Sequence, residues 1–389
     1  MNSTTNQRIE SGKRLDSLDF FRGATVAAMI WVNNPGSWSH IYGPFAHAEW
    51  HGWTPTNLIF PFFLFIVGVS IVFAFTKAMA KGHSKQDLLK KTLIRALKIF
   101  GLGIALTAFP YVVFSPDFGI HPKIYELRIP GVLQRIAIVY AIAAWMFLYL
   151  DKKKIWVVSG LILVGYWLAM TLIPVPGYGA GAIDSPIGNL AAYIDQWALS
   201  GHMWKDQWDP EGILSTFPSI VTTLLGIFVG LVLLKEHRTP EAKVLELFKW
   251  GFFWLYLGYL WSWAFPLNKN IWTSSFTLFT GGLACIVLAF CYWFIDVRDK
   301  KKGIDWGVAY GTNAITVFFL SGILGRIMGM IKVSWGAETL TLKGILYNKL
   351  LLGLFSDPMI ASVSHSILWV ILFWALARWM QKKHIIIKV

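Results

Sequence analysis

Long apolar runs alternate with short polar connectors along nearly the whole chain. The runs lie at about 18–34, 56–78, 93–114, 129–150, 155–175, 213–234, 247–266, 271–295, 305–327 and 359–381. A helix of roughly 20 apolar residues crosses a bilayer, so the pattern predicts an all-α, polytopic transmembrane bundle of about ten spans. Residues 340–355 are apolar but short, and Lys343, Asn348 and Lys349 interrupt them. They read as an interfacial or half-inserted helix, with an eleventh span as the alternative. Residues 1–16 are polar and read as a tail, which leaves 17–389 as a single transmembrane domain. The first run carries Asp19 and Arg22 and no small-residue cleavage site, so it reads as a retained helix rather than a signal peptide. No internal repeat stands out.

Composition agrees. Of 389 residues 56% are hydrophobic and 14% charged, against about a quarter charged in soluble domains. The 21 Trp, 28 Phe and 13 Tyr supply interfacial belts. The net charge of +14 raises a nucleic-acid reading, but the distribution of the charge opposes it. Twenty-five Lys and Arg fall in the N-terminal segment, alternate connectors and the C-terminal tail, against eight in the other connectors. That bias predicts both termini in the cytoplasm and the loop that holds His47 outside. A full span at 340–355 would send the Lys-rich tail outward, which favours ten. Cys285 and Cys291 lie in one apolar run and are expected to pack rather than pair.

Several polar constellations could carry chemistry. The loop Phe45-Ala46-His47-Ala48-Glu49-Trp50-His51 follows His40 and precedes the second run. Ionisable groups at a membrane rim are costly and usually functional. An imidazole there could act as a general base. His47 and His51 are also spaced i,i+4, as zinc ligands on a helix would be, and both could be plain polar residues in an aromatic belt. Asp19 and Arg22 share a helical face, as a cationic site or as a headgroup anchor. Arg128-Ile-Pro-Gly-Val-Leu-Gln-Arg135 opens a span with Pro130 in the first turn, and Arg135 inside it needs an anion, a carbonyl or a ligand. In Trp208-Asp209-Pro210-Glu211-Gly212, Asp209 is expected to cap the next helix with Pro210 at its first position. The 176–212 connection is long enough for a lid. The hairpin Pro266-Leu-Asn268-Lys269-Asn270 is rich in donors, and Asn57–Pro61 and Gly311–Asn313 read as polar breaks of the kind that line transport sites.

Taken together, Arg14-x-x-Ser17-x-Asp19-x-x-Arg22-Gly23, Val32-Asn33, His47-Ala48-x-Trp50-x-Gly52, Arg128-Ile-Pro-Gly-Val-Leu-Gln-Arg135, Asp209-Pro-Glu-Gly212 and Pro266-x-Asn268-Lys-Asn270 resemble the heparan-α-glucosaminide N-acetyltransferase family. The resemblance implies a transmembrane acyltransferase of the bacterial inner membrane that moves an acetyl group from cytoplasmic acetyl-CoA to an amino sugar or glycan outside. It places the active-site histidine on His47 and a nearby asparagine on Asn33, with Asn34 competing. Arg22, Arg135, Asp19 and Lys98, with Lys90, Lys91 and Arg95, are then candidates to meet CoA. Asn268, Lys269, Glu211 and Trp50 are candidates on the sugar side. No metal is expected. The implied partners are the small-molecule sugar acceptor, CoA and the lipid bilayer, with no nucleic acid and with homodimerisation open. The family enzyme's lumenal N-terminal domain and the span after it are not expected here, which opens the question of the acceptor. A transporter of amino sugars or small solutes is the competing expectation.

Overall fold

The structure, a computed structural model, describes residues 15–113, 119–121, 124–336 and 338–387. The tail expected over 1–16 lies almost entirely outside them.

A helix stands at each of the ten expected places: α1 (Asp16–Asn33), α2 (Pro55–Ala80), α3 (Lys85–Ala108), α4 (Val132–Tyr149), α5 (Lys152–Leu172), α7 (Ile213–Leu233), α8 (Pro240–Trp261), α9 (Ser274–Cys291), the pair α10 (Asp305–Thr312) and α11 (Ala314–Met330), and α14 (Pro358–Lys382). A short α6 (Leu190–Leu199) lies within the long 176–212 connection. Six of these helices are long and apolar enough to cross a membrane, or seven if α10 and α11 form one bent span.

Local chemistry sets many of the boundaries. Thr54 and Asn57 form a capping box with Pro55 at the first helical position of α2, which satisfies donors a helix start leaves open. Ser84, Asp151, Asn189, Thr239, Thr273 and Asp357 accept from the first turns of α3, α5, α6, α8, α9 and α14.

The main packed pairs are α8 with α9, α2 with α7, α1 with α10 and α3 with α4. Small residues set the separation, as membrane helices use them. A Cβ on Gly68 would collide with the Thr223 carbonyl, and one on Gly226 with that of Phe65. Cys285 and Cys291 are free and buried, and the Cys285 thiol reaches the Leu247 carbonyl.

Three features differ from expectation. The described residues include two small antiparallel strand pairs, β1 (Val112–Val113) with β2 (Gly119–Ile120) and β3 (Lys332–Trp335) with β4 (Glu338–Thr341). Residues 342–354, expected as one interfacial helix, form α12 (Leu342–Gly344), a π-helical turn Ile345–Leu351 and α13 (Leu352–Leu354), so the helical character holds and its regularity does not. Finally, α2 runs unbroken through Asn57–Pro61, because Asn57 faces the preceding loop as a cap partner and Pro61 is absorbed within the helix. The break expected at Gly311–Asn313 is real: α10 and α11 meet at 83°.

Candidate active site

The His47 loop has little regular structure, and its shape comes from one amide. The Asn57 Oδ1 accepts from the Ala48 and Thr54 backbone N–H groups, each at 3.0 Å, and from the Thr54 hydroxyl at 2.7 Å. Two other segments clamp the loop. The Trp50 indole donates to the Ile183 carbonyl, His51 Nε2 lies 2.8 Å from Asp184 Oδ1, and the Gly52 N–H donates to the Leu267 carbonyl. Asn268 Nδ2 donates to His51 Nδ1 at 3.3 Å, which fixes the tautomer with the proton on Nε2, facing the carboxylate. His51 is thus a tie between loops, and the His47/His51 pair is not on a helix. Among the described residues no three His, Cys, Asp or Glu are grouped to hold a metal.

His47 has no hydrogen-bond partner among the described residues and keeps an exposed face. Its other side meets protein and charge. Burial first, then the Lys269 cation, lower its imidazole to about 3, against an opposing pull from Glu211. The imidazole is therefore neutral at physiological pH, and its lone pair is free. Asn57→Ala removes the acceptor for three donors that shape this loop, so a loss of about 1–3 kcal/mol is expected. Thermal unfolding in detergent checks it.

Beside His47 lies a buried ionic cluster. Arg128 is bidentate on Asp209, at 2.8 and 2.6 Å, and reaches Glu211 Oε2 at 2.5 Å. Asp209 also accepts from the Trp204 and Glu211 backbone N–H groups. This corrects the expected cap: Asp209 turns to Arg128, and Gly212 takes the N-cap position of α7. Similarly Gly131, not a first-turn Pro130, precedes α4. Burial alone would raise the Glu211 carboxyl, but Arg128, Lys269 and Arg135 hold it below its ordinary value. Burial lowers the Lys269 ammonium, with Glu211 opposing. Arg135 is buried; its Nη2 donates to the Gly212 carbonyl and the Ser215 hydroxyl, and its guanidinium lies over the Trp272 ring at 5.3 Å.

Residues outside the expected set complete the cluster. Trp272 is fully buried at φ 47°, a strained backbone for a bulky residue. Asp195 on α6 accepts from the Ile213 N–H and is pushed up to about 7 by burial; a Cβ on Gly212 would collide with its carboxylate. The Arg128–Arg135, Asp-Pro-Glu-Gly and Asn268-Lys269 motifs marked this region in the sequence, but not the pairing of Arg128 with Asp209.

The structure divides the remaining candidates. Asn33 ends α1 with an exposed side chain, while Asn34 is buried, donates to the Ile30 carbonyl and offers its own carbonyl to His365 and Ser366. Asn268 is fully buried and accepts from the Asn270 and Ile271 N–H groups. Trp50 packs edge-on to Trp208.

At the opposite end of α1, Arg22 donates to Asp19 at 2.9 Å and to the Ser70 hydroxyl at 2.8 Å. Arg22, Ser70, Arg95, Tyr140 and Asn313 line a cavity of about 230 Å³. Lys98 is exposed and Arg135 is outside this lining. A second void of about 10 Å³ shares Phe63, Ile136, Ala314 and Ile315 with the cavity and adds Val26, Met29, Val132, Leu133 and Phe318. Those additions lie nearer the His47 end of α1 and α4.

The sequence model of the heparan-alpha-glucosaminide N-acetyltransferase catalytic region matches residues 14–259, which hold His47, the ionic cluster apart from Lys269, and Arg22. The chain belongs to that family. The heparan-alpha-glucosaminide N-acetyltransferase of Homo sapiens is 31% identical over 361 residues, 78% of this chain and 52% of the human protein. That of Mus musculus is 29% identical over 367 residues, 80% and 54% of the two chains. The chain therefore spans about half the length of the curated relatives it matches. As a member of the heparan-alpha-glucosaminide N-acetyltransferase family it is a multi-pass membrane protein, as its apolar helices require.

Proposed function

We propose that the chain is a transmembrane N-acetyltransferase that carries an acetyl group from cytoplasmic acetyl-CoA to an amino sugar or glycan on the outer face of a bacterial inner membrane. The observation that carries this reading is His47: an unengaged imidazole in a clamped loop, beside Glu211 and Lys269, whose surroundings lower it. The two relatives are themselves heparan-alpha-glucosaminide N-acetyltransferases by name, which supports the reaction class.

Acetyl-CoA is the donor substrate and supplies the thioester. The acceptor nitrogen forms its bond to the acetyl carbon, the carbon–sulfur bond breaks, and the CoA thiolate leaves. His47 accepts the proton the amine gives up. Asn33, with its exposed side chain, orients the acceptor or the developing oxyanion. Glu211, Lys269, Asn268 and Trp50 form the acceptor wall, the first two by charge and the last two by shaping the loops. At the other end Arg22, oriented by Asp19 and joined by Arg95, meets the nucleotide phosphates; Lys98 adds to the surface field there. Arg135 polarises the region between. Ten spans with both termini in the cytoplasm put the donor and acceptor ends on opposite faces.

Purified protein given labelled acetyl-CoA and glucosamine tests this. Transfer of label to the sugar is the expected result; no transfer to any amino sugar overturns the reading. The 83° bend between α10 and α11 favours a transporter instead, which would take up the sugar into proteoliposomes with no acyl donor present.

A pH profile follows from the lowered imidazole. His47 stays neutral well below the ordinary histidine value of about 6.5. The profile of kcat/KM is expected to show no limb at that value. Its acid limb should follow the acceptor amine and move when an acceptor of different amine pKa is supplied. A limb near 6.5 that ignores the acceptor would contradict this assignment.

A further inference from the structure

α3 carries charge at a depth where its neighbour α4 carries none. The two helices run antiparallel in a register that three contacts fix. Lys85 Nζ lies 5.9 Å from the centre of the Tyr149 ring and the Arg95 guanidinium 5.5 Å from that of Tyr140, while a Cβ on Gly103 would collide with the Gln134 side chain. α4 is long and apolar enough to cross a membrane, and α3 is not among the helices that are. The 18 residues of α4 make a helix of only about 27 Å, and a hydrocarbon core of roughly 30 Å takes all of it. The rim of the core on this side therefore falls near Tyr149, which Asp151 and Lys152–Lys154 follow at once. Lys85 marks the same rim on α3.

Lys98 stands thirteen residues further along α3, about 20 Å below that rim by helical rise. Its level on α4 is that of Ile138, an exposed apolar side chain. Lys98 is exposed too, lies outside the cavity lining, and makes no ion pair or hydrogen bond among the described residues. An ammonium that deep is costly in hydrocarbon, and a lysine stem is too short to carry it back to the rim. Lys91, two turns nearer the rim, is exposed on the same line of the helix. Asp87, the carboxylate on that line, lies nearer the rim than both and accepts from the Ser84 hydroxyl. Beside the two lysines runs an apolar strip of Leu93, Ile94 and Leu97, of which Leu97 is 73% exposed. A soluble anion would use only the lysines, whereas a phospholipid has a phosphate for them and acyl chains for the strip.

We propose that α3 holds an anionic phospholipid drawn below the plane of its leaflet. Lys91 and Lys98 bridge its phosphate near the level of Ile94, and Leu93 and Leu97 receive its acyl chains. The proposal rests on α4 crossing the bilayer and stands apart from the acyl-transfer reading.

The test reads phosphorus at depth. A nitroxide is attached at Leu97→Cys in the full-length protein, in nanodiscs of phosphatidylcholine with a minor share of phosphatidylglycerol and no CoA. The native Cys285 and Cys291 are buried, and protein without Leu97→Cys gives the background. Pulsed electron–nuclear double resonance reports phosphorus close to the label. A coupling is expected at Leu97 and absent at Val164→Cys, an exposed site as far beyond Lys152 on α5 as Leu97 is beyond Lys85 on α3. Lys91→Gln with Lys98→Gln should weaken phosphatidylglycerol binding, read from how the coupling grows with its share, by about fivefold per lysine removed. Lys152→Gln with Lys153→Gln should leave it unchanged. Equal coupling at Leu97 and Val164 would overturn the proposal, as would a coupling indifferent to Lys91 and Lys98 or to the phosphatidylglycerol share. A coupling that appears only when CoA is added would overturn it in favour of a nucleotide site.

Discussion

His47→Ala is expected to lower acetyl transfer by about 10²–10⁴-fold, the usual contribution of a positioned general base, with KM for acetyl-CoA nearly unchanged. The separation follows from geometry. The ring makes no hydrogen bond among the described residues, so its loss disturbs no network, and the loop keeps its Asn57 anchor and both clamps. The donor's nucleotide is proposed to bind at the other end, beside Arg22 and Arg95. A fall in turnover that added imidazole partly restores would mark the missing base. Full activity in His47→Ala, or an effect confined to donor KM, would sink the role.

Arg128→Gln should be the most destabilising single change at this end of the protein, by about 3–5 kcal/mol. The Asp209 and Glu211 side chains are 0% and 4% exposed, and Arg128 contacts both. Burial alone would lower the guanidinium, but its hydrogen bonds and the charges of the two carboxylates raise it instead, so the pairing stabilises its charged form. Without it two carboxylates remain in a region of low polarity, and one must take up a proton or draw water inward. Arg128→Lys keeps the charge but not the fork that spans both acids, so it should fall between. The check is the thermal transition in detergent, with Asp209→Asn added to Arg128→Gln. Recovery of part of the loss in the double variant identifies the unpaired carboxylate as its cause.

The helical frame was legible because hydropathy reports burial in lipid directly, and a helix appears wherever an apolar run was long enough. The candidate loop was also marked, since histidines among tryptophans at a span boundary are conspicuous. What stayed hidden depends on partners far away in sequence. Asp209 looks like a cap when read with its neighbours, and only the fold brings Arg128 to it from 81 positions away. Asn57 resembled a helix break because an amide before a proline looks disruptive until its acceptor role in the loop is seen. Asp184 and Trp272 carried no local signal; their roles come from His51 and Arg135, on other elements. The pairing of β3 with β4 was missed for a different reason: it interrupts an otherwise helical frame and is too short to compete with it.

The narrow void between the two ends has an electrical consequence. Its walls are Val26, Met29, Leu133, Phe318 and similar side chains, and about 10 Å³ is room for roughly one water molecule. An ion entering it would shed its hydration shell and find no oxygen to replace it, at a cost of several kcal/mol. A sodium ion with its hydration shell, or a continuous file of water, does not fit such a space. In the proposed reaction the two faces would exchange an acetyl group while this dry region acts as an insulator, leaving an ion gradient across the membrane intact.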